Sequence, residues 1–322
     1  MADLARKRKL AGGQDSNRLH RATRNGAWLR AVPPRLNGTE LSQEELWYNI
    51  RLRYGLIPQD ILATCNGCGK NFSIDHAPSC PKGGLVLARH DDAAKEWGFL
   101  GSWSLVPSAI TYEPKINSRT VQGGRTRAGA RQEGGEADGG ADIVEESQGG
   151  IGPTVNEADR LVGRPVQVQV HADSRVDVSA HGFWKRGTTS MFDIRIFNLD
   201  AGSYLRMTPE KALSKAEKEK EDLYLQACLE HRRTFTHMVY SADLIPRAEA
   251  LAAQKRLSAL LRYKLKREYS EICGFVRARI SLAIVRSNSL ILRGNCDKGA
   301  RIRQPPELTD GAVMALRVPL RG

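Results

Sequence analysis

Cys65, Cys68, His76 and Cys80 lie within sixteen residues and have the types and spacing that suit a metal ion. The pattern C-x2-C-x7-H-x3-C offers three thiolates and an imidazole, a closed tetrahedral set for Zn²⁺. With no fifth ligand on offer, it has the character of a structural site. Gly67 and Gly69 flank Cys68 and supply the small residues that a tight metal-binding turn needs. A reduced cysteine cluster without metal is the plain alternative. A second constellation falls in residues 174–198, where strict alternation reads as two strands joined by a turn-rich connection. Val176, Val178 and Ala180 share one face of the first strand, which leaves Asp177 opposite. Phe192, Ile194 and Ile196 share one face of the second, which leaves Asp193 and Arg195 opposite. If both apolar faces pack on one core, Asp177 and Asp193 lie on the same polar side of neighbouring antiparallel strands. Two carboxylates so placed can share a divalent cation such as Mg²⁺, which activates water or clamps a phosphate. The plain alternative is a half-buried hairpin with solvated charges on its outer side.

These groups need elements to hold them. Ser42 with Glu45 three residues on is a capping-box start for a helix that Gly55 stops, with Leu46, Ile50 and residues 52–54 as its apolar side. After Gly83-Gly84 a second helical run places Leu85, Leu87, Ala94, Trp97 and Leu100 inward. It carries Arg89 and His90, which could touch phosphate or cap the cysteine segment. Pro209 opens a long Lys-rich helix, residues 235–241 form a short strand, and two amphipathic helices follow from Arg247. On the last helix Arg279, Arg286 and Arg293 recur every seven residues as one basic stripe. That stripe suits a nucleic-acid backbone or a solvated face equally. Cys228, Cys273 and Cys296 read as small buried hydrophobes.

Composition narrows the class. The 322 residues carry a net charge of +13, spread unevenly: residues 1–36 are net +7, residues 246–322 net +10, and the middle is net −4. Basic flanks around a mildly acidic centre suit a chain that grips phosphate and keeps carboxylates for a metal. No run approaches 18 consecutive apolar residues, so no membrane span is expected, and the first residues lack a secretory h-region. Residues 119–152 hold ten of the thirty glycines and read as a flexible linker. None of these glycines follows a strand and opens a helix, so no nucleotide cofactor is expected. Arg6-Lys7-Arg8-Lys9 has the form of a short nuclear import signal.

In sequence order, the Cys-Cys-His-Cys cluster is followed by Arg89-His90, by Glu113-Pro114, by the Asp-bearing hairpin ending in FDIRIFN, and by a Lys-rich helix reaching Tyr224. This order resembles the C-terminal region of site-specific non-LTR retrotransposon polyproteins, where a zinc cluster precedes a restriction-like endonuclease of the PD-(D/E)XK superfamily. The resemblance covers roughly residues 42–293 and implies an α/β fold: a small mixed sheet flanked by helices (a restriction-endonuclease-like core), with an N-terminal zinc-stabilised helical subdomain. It implies a metal-dependent endonuclease acting on DNA, with RNA as a further partner and the nucleus as its location. Asp177 and Asp193 are similar to that superfamily's Mg²⁺ carboxylates. Where the family normally has lysine two residues after the second acid, this chain has Arg195, which is suited to holding a phosphate. Lys220, four residues before Tyr224, matches the lysine that substitutes in the retrotransposon group and would stabilise developing charge. Arg89, His90, Arg279, Arg286 and Arg293 are then the expected nucleic-acid contacts. The domain plan is a disordered basic tail at 1–40, a helical zinc-binding subdomain at 41–118, the linker at 119–152, the endonuclease domain with basic helices at 153–296, and a frayed tail at 297–322. The roughly forty residues before the matching helix leave no room for the family's reverse transcriptase. That implies a fragment, a decayed copy or a domesticated remnant. A non-catalytic zinc-containing nucleic-acid-binding protein and an inactive transposon relic are the alternatives, and the oligomeric state stays open.

Overall fold

Burial along the central strand shows where the core lies. β3 (Thr189–Phe197) is buried at seven of its nine positions, as befits a strand covered on both faces. The structure, a computed structural model, describes residues 13–23, 26–30, 40–58, 60–116, 174–204 and 206–294. The expected linker at 119–152, the tail at 297–322 and Cys296 lie outside them.

β1 (Ile110–Tyr112), β2 (Val178–His181), β3 and β4 (Thr234–Ser241) form a four-stranded sheet in that order. β1–β2 and β2–β3 pair antiparallel, whereas β3 and β4 are parallel. A parallel pair needs a long crossover, which α4 (Pro209–Glu230) provides, starting from a Thr208 N-cap with Pro209 in its first turn. α4 covers one sheet face through Leu213, Ala216, Ala227 and Cys228. The other face packs Phe192, Ile194 and Met238 against α3 (Leu85–Ser104), α5 (Ala248–Leu265) and α6 (Tyr269–Arg293). The mixed α/β class with a small sheet flanked by helices is therefore what the chain forms.

Three expectations change. The lead-in holds α1 (Gly13–Ala22), where disorder was expected. Its Arg18 and Arg21 are buried and pair with Asp200 at 2.5 and 2.7 Å, and Arg21 also reaches Asp243 at 2.6 Å. Buried guanidiniums facing buried carboxylates anchor a helix that its polar sequence could not anchor by itself. The described residues of the expected 41–118 and 153–296 segments all belong to one compact unit, 1–117 together with 170–322. α3 is part of the sheet's own core, and Ile291 and Leu292 of α6 pack beside Ile74 and Ala77 of the cysteine segment. Helix α2 (Gln43–Tyr54) has the expected capping box and Gly55 in the left-handed region at φ 68°. It turns Tyr48 and Leu52 inward, however, and leaves Leu46 and Trp47 exposed. Finally, Val176 packs with Met191, Cys228 and Phe235 on the α4 face, while Val178 and Ala180 pack on the opposite one. The alternation breaks at Asp177, whose N donates to Phe192 O (3.1 Å) although Phe192 is already the partner of Val178, a bulge in the β2–β3 ladder.

Candidate metal and catalytic site

The cysteine segment folds locally around its ligands. A short hairpin closes through Cys65 N to Lys70 O (2.8 Å) and Gly69 N to Cys65 O (2.8 Å), which points Cys65 and Cys68 the same way. Gly69 takes φ +72°, and a Cβ on Gly67 would sit 2.7 Å from Lys82 O, so both turn glycines are sterically required. A 3₁₀ turn at Ala77–Ser79 lies between His76 and Cys80, with Ser73 Oγ accepting from His76 N at 3.0 Å. All four ligand atoms lie within 4.8 Å of one another. Cys65 Sγ and Cys80 Sγ are 3.6 Å apart, and Cys68 Sγ lies 3.3 Å from His76 Nε2. Tetrahedral Zn²⁺ with bonds of about 2.3 Å to sulfur needs ligand separations of about 3.8 Å, so the cluster fits the ion with small adjustments. Burial opposes ionisation of Cys65, yet backbone N–H groups of Cys68 and Gly67 and the His76 ring bring its thiol down to about 6. Burial pushes Cys80 up to about 11. The first thiolate therefore forms at neutral pH, as metal capture requires.

The second constellation is drawn from four elements. Val178 pairs with Phe192, so Asp177 and Asp193 are the next residues along the two strands. Asp193 is 4% exposed, and burial raises its pKa, with Lys220 opposing and Asp177 reinforcing the shift. Lys220, from α4, donates to Asp193 Oδ1 at 3.1 Å and lies 2.8 Å from Oδ2. The angles at Oδ2 do not make that contact a hydrogen bond, so Oδ2 is buried without one. The ammonium also stands 5.3 Å over the Tyr224 ring. Burial and then the two aspartates push Tyr224 up to about 12. Asp177 Oδ2 accepts from Ile194 N and lies 3.1 Å from His90 Nε2. Asp91 meets the other ring nitrogen of His90 at 3.1 Å. Burial disfavours the imidazolium, but the Asp177 and Asp91 carboxylates outweigh it and raise His90 to about 9. Two carboxylates, an ammonium and an imidazolium thus meet at one end of the β2–β3 pair.

The structure therefore brings Asp177, Asp193, Lys220 and His90 together. Arg195 is engaged elsewhere, bonded to Glu219 Oε2 at 2.5 Å and Tyr204 OH at 3.2 Å. Holding a phosphate would mean displacing Glu219. Of the other expected nucleic-acid contacts, Arg89 and Arg279 are buried. Arg89 is fully buried and bonds to Asn288 Oδ1 (3.1 Å), Pro78 O (3.1 Å) and Ile196 O (3.3 Å). It ties the cysteine segment, β3 and α6 together. Burial lowers its guanidinium to about 10, which still leaves it charged at neutral pH. Arg279 is 3% exposed and forks onto Glu96 at 2.7 and 2.9 Å. Arg286 donates to Glu40 O at 2.7 Å, and Arg293 pairs with Glu44 at 2.8 Å. The α6 stripe is a set of cross-links because α2 and α3 pack along it. Glu113, a conceivable third acid, is largely exposed and faces Arg175 at 3.7 Å. Asp91 escaped the sequence reading: its partner His90 is adjacent, but only the fold brings that ring to Asp177.

No family model, curated protein or solved structure matches this chain.

Proposed function

We propose that the chain is a metal-dependent DNA endonuclease domain of retrotransposon origin, with a restriction-endonuclease-like core, a structural Zn²⁺ at Cys65, Cys68, His76 and Cys80, and a nuclear site of action. The observation that carries the reading is the meeting of Lys220 with Asp193 beside Asp177. These three residues come from three elements, and the bond spans 27 residues of sequence. Asp193 Oδ2 is buried and lies 2.8 Å from the Lys220 ammonium, so the oxygen faces a cationic position. Asp177 and Asp193 would hold Mg²⁺, which supplies Lewis acidity to a scissile phosphate and a more acidic bound water. Lys220 keeps a fixed positive charge where the phosphate gains negative charge in the transition state. His90 orients Asp177, and Asp91 orients His90 in turn.

A non-catalytic, zinc-containing nucleic-acid-binding protein has one observation in its favour: each carboxylate already has a cationic partner, His90 for Asp177 and Lys220 for Asp193. Cleavage of supercoiled plasmid in Mg²⁺ or Mn²⁺ separates the two. The nuclease reading expects nicking that vanishes in Asp193→Ala while that variant still folds and binds DNA. A folded, zinc-loaded protein that binds DNA and leaves the plasmid intact refutes the nuclease and supports binding alone.

A further inference from the structure

We infer that a face of α5, together with the β2–β3 turn, is a docking surface for the backbone of duplex nucleic acid. The inference shares with the proposed function only the premise that the partner is nucleic acid. Between Glu249 and Glu268 the chain carries six cations and no acid. Three of the six are spent in part: Arg256 donates to Phe183 O at 2.9 Å, Lys264 to Leu105 O at 3.1 Å, and Arg267 lies 3.9 Å from Glu271. Lys255, Arg262 and Lys266 are exposed and make no ion pair among the described residues. Lys255 and Arg262, seven residues apart, lie on one stripe of the helix, and Lys266 follows at its left-handed C-cap, a span of about 16 Å at 1.5 Å per residue. Along that length one strand of a duplex presents about five phosphates.

Two further features shape the surface. Ala252 and Ala259 fall on the same stripe, so a backbone can approach closely between the cations. The Arg256–Phe183 bond seats the turn at residues 182–188 against α5, and that turn adds the exposed Lys185 and Arg186. Tyr263, 81% exposed, is the one large apolar side chain α5 exposes among the described residues, and its hydroxyl is a phosphate donor. A helix that lies in a lipid surface needs an apolar face to insert; α5 spends its apolar face on the core through Leu257 and Leu261. The contrast with the α6 stripe carries weight, since there Arg279 and Arg293 pair with Glu96 and Glu44 and Arg286 donates to Glu40 O.

The test is fluorescence anisotropy of a labelled 20-base-pair duplex with the full chain across a salt series. It compares Lys255→Ala/Arg262→Ala/Lys266→Ala with Lys211→Ala/Lys215→Ala/Lys218→Ala on the exposed side of α4. Melting curves confirm that both variants fold. The α5 variant should bind at least tenfold more weakly. Its log-affinity against log-salt slope should flatten by about 2.7, or about 0.9 for each lost phosphate contact. The α4 variant should bind as the parent does. Unchanged affinity and slope in the α5 variant, or an equal loss in both, overturns the surface. So does binding to phosphatidylserine vesicles without binding to the duplex. Asp193→Ala and parent proteins that bind through α5 and cut nothing would support this surface while sinking the nuclease.

Discussion

The Cys₃His cluster and the aspartate site both gather metal-type ligands, but they are assembled in opposite ways. The cluster takes four ligands from sixteen consecutive residues and closes them with two turns and its own backbone hydrogen bonds. The aspartate site takes His90, Asp177, Asp193 and Lys220 from α3, the approach to β2, β3 and α4, and exists only once the sheet is built. A site closed by local chain depends on the ion for its order. A site built from remote elements depends on the core, and its own charges can change with little effect on stability. Arg89 and His90 join the two: one side chain holds the cysteine segment and the next touches Asp177.

The largest effect should follow from removing the cluster's ion. Structural zinc sites of this type contribute on the order of 10 kcal/mol of apparent binding free energy to folding. Cys68→Ser, or a strong chelator, should release one zinc per chain and collapse hydrogen-exchange protection across residues 60–84. The sheet should lose less. Retained protection in a metal-free protein would mean that the cluster is merely a reduced thiol group.

Next comes Arg89→Ala, which strands three acceptors on three elements and leaves a cavity. A loss of about 4 kcal/mol is expected in denaturant titrations. Both the zinc segment and the aspartate site should loosen together. A loss under about 1 kcal/mol would mean that the two regions are not coupled through this residue. Asp193→Asn should behave oppositely. Burial holds the Asp193 carboxyl above its ordinary range, so a neutral amide removes a charge the fold disfavours, and the partly exposed Lys220 ammonium keeps access to water. Stability should therefore move by about 1 kcal/mol or less while cleavage falls to background.

This contrast also explains what could be read from the chain. The Cys₃His set was legible because zinc chemistry fixes ligand type and short-range spacing together. The hairpin, α2's capping box and the starts of α4 and α5 were legible because period and caps are local properties. Lys220 meeting Asp193 was legible only through resemblance, since no spacing rule connects residues across a crossover. Arg89 and Arg279 were misread because charge in a sequence does not tell which face a neighbour covers: Arg279 became buried only when α3 brought Glu96 to it. Val176 was misplaced because alternation assumes unbroken pairing, and the pairing is interrupted at Asp177. The anchoring of α1 was invisible for the same reason as Lys220, its partner Asp200 being 182 residues from Arg18.

The smallest effect sharpens the comparison most cleanly. Ser42 Oγ accepts from Glu45 N at 3.1 Å, and Glu45 Oε2 accepts from Ser42 N at 2.8 Å, so the cap is complete within four residues. Ser42→Ala should cost about 1 kcal/mol, and Ser42→Asp close to nothing. α2 presses Tyr48 and Leu52 onto the cysteine segment, yet the cap itself touches no ligand. Zinc stoichiometry and cleavage rate should therefore be unchanged in Ser42→Ala at a temperature well below its melting point. A variant that sheds zinc would show that the cluster leans on its helical neighbour, and the division between a locally closed site and a core-built one would have to be redrawn with α2 inside the zinc module.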